Sequence, residues 1–217
     1  MKRIEKKFRE LRRQHKKALI AFITAGYPSI KTTEGLIREF DAMGVDVVEL
    51  GVPFTDPMAD GPVIQEASQV ALKNKTHLID ILNLVQKVRR QVKLPICLMS
   101  YYNPIFCFGE ERFVNKAKAC GVDGVIIPDL PPEEGADFIK HARKAGIDTI
   151  FFLSPTSSTQ RIKYIAQQAR GFIYYVSLTG VTGARKDLSR DLKNNIKTIK
   201  RYTQTPVCVG FGVSTPA

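Results

Sequence analysis

The stretch Gly44-Val45-Asp46-Val47-Val48-Glu49-Leu50 joins the end of an amphipathic helical pattern to an apolar, β-branched run. The same Gly-x-Asp beginning recurs at Gly121-Val122-Asp123 and at Gly146-Ile147-Asp148. Glycine suits the residue that ends a helix, where φ is positive, and the run that follows predicts a strand. The last two copies are separated by one strand–helix unit and the first two by about three, a repetition that favours a (β/α) barrel.

Seven apolar runs without clean alternation predict seven strands that are buried on both faces. They cover residues 18–24, 45–50, 95–100, 122–127, 147–153, 172–177 and 206–210. Helical patterns lie between them, such as the apolar face of Leu36, Ile37, Phe40 and Met43. The fold class is therefore α/β. We expect residues 1–217 to form a single (β/α)8 TIM-barrel domain with an added N-terminal helix, lacking the eighth βα unit and so incomplete at the C-terminus.

Composition narrows the class of protein. The chain has 217 residues, 44% of them hydrophobic and 25% charged, which excludes a disordered, collagen-like or coiled-coil protein. No apolar run is long enough to span a membrane, and the apolar stretch at 18–23 is too short for a signal peptide. The four cysteines and three histidines show no metal-ligand spacing. We expect a cytoplasmic protein with reduced thiols, no metal and no membrane partner.

Two segments carry the net charge of +12, namely residues 1–17 and 185–201. Such basic segments indicate either a nucleic-acid surface or the solvated faces of two helices. Ile4, Phe8 and Leu11 recur at helical spacing in the first segment, and Leu188, Leu192, Ile196 and Ile199 do so in the second. Neither segment carries a nucleic-acid-binding motif, which favours two docked helices and no nucleic-acid partner.

Glu49 is the strongest candidate for chemistry, because it closes an apolar strand at the end where a barrel of this class places its active site. Burial there raises the pKa of a carboxyl group toward neutrality, which suits a general acid/base. Asp60 follows eleven residues later, behind two prolines, and in a different environment it would stay ionised. The structural alternative for Glu49 is a helix N-cap or a salt bridge, and the alternative for Asp60 is a turn or cap residue.

Two glycine clusters at strand ends predict a phosphate site, because glycine lets backbone N–H groups approach an anion. They are residues 180–183 and 210–212. Aromatic and apolar side chains at the same ends would form the walls of a pocket, although such side chains are more often part of the core. These side chains are Phe22, Tyr101, Ile126, Tyr174 and Phe211.

At these residues the chain resembles the family of tryptophan synthase α subunits. The resemblance rests on residues 22–28 (FITAGYP), 48–65 (VELGVPFTDPMADGPVIQ), 174–177, 180–184 and 210–212. It implies a TIM barrel that cleaves indole-3-glycerol phosphate to indole and glyceraldehyde 3-phosphate without a cofactor, a lyase reaction in tryptophan biosynthesis. The family's eighth strand and the phosphate contacts after it have no counterpart in this sequence.

The resemblance also implies roles for individual residues. Glu49 would be the general acid/base that protonates the indole ring at C3, and Asp60 would accept a hydrogen bond from the indole N–H. The five wall side chains named above would hold the indole, and Thr182 would orient Asp60. Gly183 and Gly212 would offer backbone N–H groups to the phosphate.

A partner is implied as well. The family works as an α2β2 complex with a β subunit that carries pyridoxal phosphate. The positions that match contacts of the α subunit are Pro53, Asp56, Asn103 and Pro131. An alternative function is a non-catalytic α-like partner that only binds and stimulates the β subunit.

Overall fold

A computed structural model describes residues 1–176 and 192–210 of the chain. These ranges contain seven strands, which pair in parallel in the order β1 to β7. The strands are β1 (Ile20–Thr24), β2 (Val47–Gly51), β3 (Ile96–Met99), β4 (Gly124–Ile126), β5 (Asp148–Leu153), β6 (Ile173–Val176) and β7 (Val207–Gly210). All seven predicted strands are confirmed, each shorter than its apolar run.

Helices join the strands, as the alternation of patterns predicts. They are α1 (Arg3–Arg13), α2 (Ile30–Met43), α3 (Pro62–Lys73), α4 (Leu78–Val88), α5 (Tyr102–Phe108), α6 (Glu110–Cys120), α7 (Ala136–Ala145), α8 (Thr159–Gln168) and α9 (Leu192–Lys200). Gly44, Gly121 and Gly146 end α2, α6 and α7 with φ of 81°, 93° and 75°. The predicted glycine caps are thus confirmed. Met43 does not lie on the apolar face of α2: it is the last residue of the helix and is 76% exposed.

The sheet curls around an interior to which every strand contributes. One apolar cluster contains side chains from all seven strands: Ile20, Val47, Cys97, Ile126, Ile150, Tyr174 and Cys208. A second cluster packs α2, α4, α6 and α7 on the outside of the sheet, and a third packs α8 and α9 against β5 to β7. One apolar layer inside the curled sheet and another between the sheet and the helices are typical of a TIM barrel.

The first and last strands form the two edges of this sheet. Within residues 1–176 and 192–210, β1 pairs with β2 and β7 pairs with β6, and no strand lies between β1 and β7. A groove of about 920 Å³ separates them. β2 is buried along its whole length, whereas the residues of β7 are half-buried. The described residues thus contain the seven predicted strands and no eighth.

α1 lies across the ends of the strands at which they begin. Ile4 is fully buried, and its Cδ1 lies 3.1 Å from the position that a Cβ on Gly124 would occupy. Phe8 packs beside Phe172 with a centroid distance of 6.0 Å. The predicted amphipathic N-terminal helix is confirmed, and its apolar face closes the bottom of the barrel.

The three Gly-x-Asp copies supply the charges that hold α1. Lys2 Nζ lies 2.6 Å from Asp148, Arg3 Nη1 lies 3.0 Å from Asp123, and Lys7 Nζ lies 3.5 Å from Asp46. All three aspartates are buried. Three basic side chains at the start of this segment are therefore paired with buried aspartates, which favours the docked-helix interpretation, whereas its other six basic side chains are exposed. α9 docks its apolar side on the third cluster, while Leu188 lies outside the described residues.

Candidate active site

Glu49 lies on β2 in the interior of the barrel, in register with Phe22 on β1 and Cys97 on β3. Its side chain is buried, with the residue only 2% exposed. Its Oε1 atom has no hydrogen-bond partner among the described residues. Burial raises the pKa of Glu49 from 4.5 to about 8. Within the described part of the chain Glu49 is thus neither a helix cap nor a member of a salt bridge.

Asp60 lies at the end of the loop that follows β2, half-buried at the mouth of the barrel. Helix α3 begins at Pro62 with Gly61 as its N-cap, so the Asp60 carboxylate does not cap it. The Asp60 backbone is held by bonds of its N–H to the Pro57 carbonyl (3.0 Å) and of its carbonyl to Gln65 Nε2 (2.8 Å). Burial raises the pKa of Asp60, and the Tyr101 hydroxyl opposes this shift.

The two carboxylates therefore have different surroundings. Glu49 is almost fully buried and its raised pKa keeps it protonated at neutral pH, whereas Asp60 is half-buried beside the Tyr101 hydroxyl. Such a pair divides acid and base roles between two groups of the same kind. The arrangement is suited to proton transfer at one end of a ligand and acceptance of a hydrogen bond at the other.

The predicted wall residues within the described ranges lie around these carboxylates. Phe22 and Tyr101 line a small cavity together with Asp60. Phe22 and Tyr174 also line the groove that reaches Glu49, and Ile126 belongs to the same interior cluster as Tyr174. Burial, followed by the nearby charge of Glu49, raises the pKa of Tyr174. Sequence reasoning thus identified side chains that the fold does bring together.

Two glycines leave room for these rings. A Cβ on Gly51 would lie 2.6 Å from Cζ of Phe22. A Cβ on Gly210 would collide with the Tyr174 ring. Within the described residues Gly210 makes space for the Tyr174 ring, and its place in a phosphate loop stays a prediction.

Four predicted site residues lie outside the described residues: Thr182, Gly183, Phe211 and Gly212. Their roles toward phosphate, indole and Asp60 remain predictions. The residues predicted to contact a partner follow the ends of β2, β3 and β4. Asp56 and Asn103 are exposed and Pro131 is half-buried, whereas Pro53 is buried and offers a partner the least surface.

Sequence reasoning missed two residues beside Glu49. Cys97 and Cys208 were expected only as reduced thiols, yet both belong to the interior cluster, and burial together with the charge of Glu49 raises the pKa of each thiol. Their position two residues before the ends of β3 and β7 would have placed them in that layer. The described residues contain no group of three or more potential metal ligands. None of the described helices has the length and apolar character needed to cross a membrane.

Comparison with known proteins decides the family. The model of the tryptophan synthase alpha chain family matches residues 8–217. Relatives named tryptophan synthase alpha chain from Geobacter sulfurreducens and Geotalea daltonii are 53% and 52% identical to this chain. In each case the match covers 100% of this chain and 82% of the relative.

The chain belongs to the tryptophan synthase alpha chain family. The reaction of this family is the cleavage of indole-3-glycerol phosphate, so the chain is a lyase of tryptophan biosynthesis. A tryptophan synthase alpha chain needs no cofactor of its own, since pyridoxal phosphate belongs to the β subunit.

Solved structures agree with this assignment. The crystal structure of tryptophan synthase subunit alpha from Legionella pneumophila superposes with a TM-score of 0.90 at 40% identity, covering 100% of this chain and 80% of that chain. A structure of the α2β2 tryptophan synthase complex from Pyrococcus furiosus contains a chain that matches with a TM-score of 0.85 at 41% identity, covering 91% and 79%. The TIM-barrel class predicted from the strand repeat is confirmed.

Proposed function

We propose that Glu49 and Asp60 carry the cleavage of indole-3-glycerol phosphate in this chain. The observation that supports this is the environment of Glu49, a buried carboxyl group with a pKa of about 8 and an Oε1 atom without a partner among the described residues. A buried acid that holds its proton at neutral pH and has a free hydrogen-bonding atom is suited to transfer that proton to a ligand.

In this proposal the reaction is a retro-aldol cleavage in which Glu49 first donates a proton and then recovers one. Protonated Glu49 gives its proton to C3 of the indole ring, and Asp60 accepts a hydrogen bond from the ring N–H and stabilises the positive charge. The bond between C3 and the glycerol carbon breaks, and its electrons restore the aromatic ring. The proton of the adjacent hydroxyl returns to the Glu49 carboxylate as the aldehyde forms, so the enzyme ends in its starting state.

The remaining site residues would bind the substrate. Phe22, Tyr101, Ile126, Tyr174 and Phe211 would enclose the indole. The backbone N–H groups of Gly183 and Gly212 would bind the phosphate, and Thr182 would orient Asp60. This arrangement is supported by the positions of four of these side chains near Glu49 and Asp60, namely Phe22, Tyr101, Ile126 and Tyr174.

The partner in this proposal is a tryptophan synthase β subunit in an α2β2 complex. The surface formed by Asp56, Asn103 and Pro131, with Pro53 beneath it, would contact that subunit. We further propose that residues 1–217 act as one barrel domain. A cytoplasmic location is supported by the free thiols of the four cysteines, since disulfides are rare in that compartment.

The test is indole release from indole-3-glycerol phosphate by the purified chain, measured with and without a tryptophan synthase β subunit. We expect Glu49→Gln to lower kcat by about 100-fold or more, because a positioned general acid contributes about 10²–10⁴ in rate. Calorimetry should still detect substrate binding by this variant.

The control is Glu66→Gln, which makes the same chemical change at an exposed position on α3 and should leave the rate unaltered. Full activity of Glu49→Gln would refute the role of Glu49. Stimulation of the β subunit without any indole release by the wild-type chain would instead identify a non-catalytic partner.

A further inference from the structure

The loop between β2 and α3, residues 52–61, carries Asp60, whose carbonyl accepts a hydrogen bond from Gln65 of α3. Val52 N–H donates to the Met99 carbonyl at its base (2.8 Å), and turns inside the loop join Met58 to Asp56 and Asp60 to Pro57. Near its tip, Ala59 N–H donates to the Tyr101 hydroxyl at 2.8 Å. Because Ala59 precedes Asp60, this bond holds the loop directly beside the carboxylate.

Tyr101 is a rigid support for such a bond. It is 5% exposed, follows β3 and is the N-cap residue of α5. Its carbonyl accepts the Ser100 hydroxyl at 2.9 Å, and the next N–H, that of Tyr102, donates to Asp129 at 2.9 Å. Its ring packs on Phe54 of the same loop with a centroid distance of 5.4 Å. Hydrogen bonds of the backbone around Tyr101 and the contact of its ring with Phe54 therefore hold this side chain.

The hydrogen-bonding capacity of the hydroxyl explains what it does there. A tyrosine hydroxyl has one proton to donate, and here its oxygen accepts the Ala59 N–H. The charged groups that face it are Asp60 and, from the segment after β4, Asp129. Tyr101 and Asp60 line the same small cavity, and the hydroxyl lowers the pKa of Asp60, which fits donation of the tyrosine proton to that carboxylate.

We propose that Tyr101 is a positioning residue, whose hydroxyl fixes the loop through Ala59 and holds the Asp60 carboxylate ready to accept a hydrogen bond from the substrate. This role goes beyond that of an aromatic wall, because it belongs to the hydroxyl and not to the ring. It rests on the proposed function of Asp60.

The test compares Tyr101→Phe with Tyr102→Phe in the full chain. Tyr101→Phe keeps the ring and removes only the hydroxyl. Tyr102→Phe makes the same change one residue later, where the hydroxyl donates to Glu110 at 2.9 Å. We expect Tyr101→Phe to lower kcat by about tenfold with KM changed less than about twofold, the effect of one lost hydrogen bond that fixes a catalytic group. Tyr102→Phe should change neither constant.

Two further measurements test the role of the Tyr101 hydroxyl and do not depend on catalytic activity. Hydrogen exchange of the Ala59 amide should become about tenfold faster in Tyr101→Phe, since its acceptor is gone. Carboxyl-carbon NMR should show the pKa of Asp60 moving upward in that variant, because the hydroxyl that lowers it is removed while burial remains. Tyr102→Phe should match the wild type in both measurements.

The outcomes separate this proposal from the proposed function. An unchanged Ala59 exchange rate and Asp60 titration in Tyr101→Phe would overturn the positioning role, as would a raised KM with an unchanged kcat. If the wild-type chain releases no indole, the proposed function fails. The hydrogen exchange of Ala59 and the titration of Asp60 still decide whether Tyr101 positions Asp60.

Discussion

At the scale of the residue, the site depends on one carboxyl group that the fold keeps away from water. Glu49 lies between Phe22 and Cys97 in the sheet register, and Gly51, two residues later, leaves the space that the Phe22 ring occupies. An ionised carboxylate is costly in such surroundings, so the group stays protonated well above its ordinary pKa.

The same burial makes folding stability depend on pH. Glu49 ionises near pH 4.5 in the unfolded chain and near pH 8 in the fold, so between these values the folded state holds a proton that the unfolded state has lost. The contribution of Glu49 to the free energy of unfolding is present below pH 4.5 and is lost as the pH rises through about 8. In Glu49→Gln this contribution is absent.

We therefore expect the stability of Glu49→Gln relative to wild type to increase steadily from pH 5 to pH 8. Urea unfolding at several pH values measures this difference, with Glu66→Gln as the exposed control. A difference that does not vary with pH would contradict the raised pKa of Glu49.

At the scale of the element, α1 closes the end of the barrel at which the strands begin. Its buried Ile4 fills the space beside Gly124, where a Cβ would meet Ile150, Cys97 and Ile4 at 2.8 to 3.1 Å. Its basic side chains reach three buried aspartates at the strand starts. The helix is thus held by packing at its centre and by charge at its margin.

Truncating Ile4 should leave a cavity in this closed space. We expect Ile4→Ala to lower the free energy of unfolding by about 2–5 kcal/mol, the range for buried isoleucine. Ile79→Ala is the matched control, because Ile79 is 39% exposed on α4, and its cost should be about 1 kcal/mol or less. Denaturant unfolding of both variants checks the prediction, and equal losses would show that α1 does not seal the barrel.

At the scale of the whole molecule, some of the basic side chains behind the net charge of +12 pair with buried aspartates. Without the basic side chains at residues 2–7, the buried Asp46 and Asp148 would have no salt bridge among the described residues, whereas Asp123 would keep Arg89. Burial raises the pKa of Asp148, and Lys2 opposes that shift. Three of the charges in the first basic segment therefore pair with buried carboxylates of the barrel.

Removing the three paired cations should destabilise the fold despite the smaller net charge. We expect the triple variant Lys2→Gln, Arg3→Gln, Lys7→Gln to lose about 2 kcal/mol, since buried carboxylates lose their partners. The control is Lys6→Gln, Arg13→Gln, Lys16→Gln, which removes three exposed charges from the same segment. Thermal unfolding should separate the two, and identical Tm values would mean that only net charge matters.

Local patterns were enough to predict the strands, their order and the ends of several helices. Gly44, Gly121 and Gly146 could be recognised as caps because positive φ is a property of a single residue. Glu49 could be recognised because an acidic residue in an apolar strand is unusual on its own. The family motif at 48–65 added the expected roles of Glu49 and Asp60.

The sequence by itself therefore determined the αβ alternation, the barrel class and the two candidate carboxylates. Only the tertiary structure decided that Glu49 lacks a partner within the described residues, that Tyr101 holds the loop of Asp60, and that α1 pairs with three Gly-x-Asp copies. These contacts join residues up to 146 positions apart. No local spacing encodes such pairs, because they form only when the curled sheet brings distant strand ends to one side of the barrel.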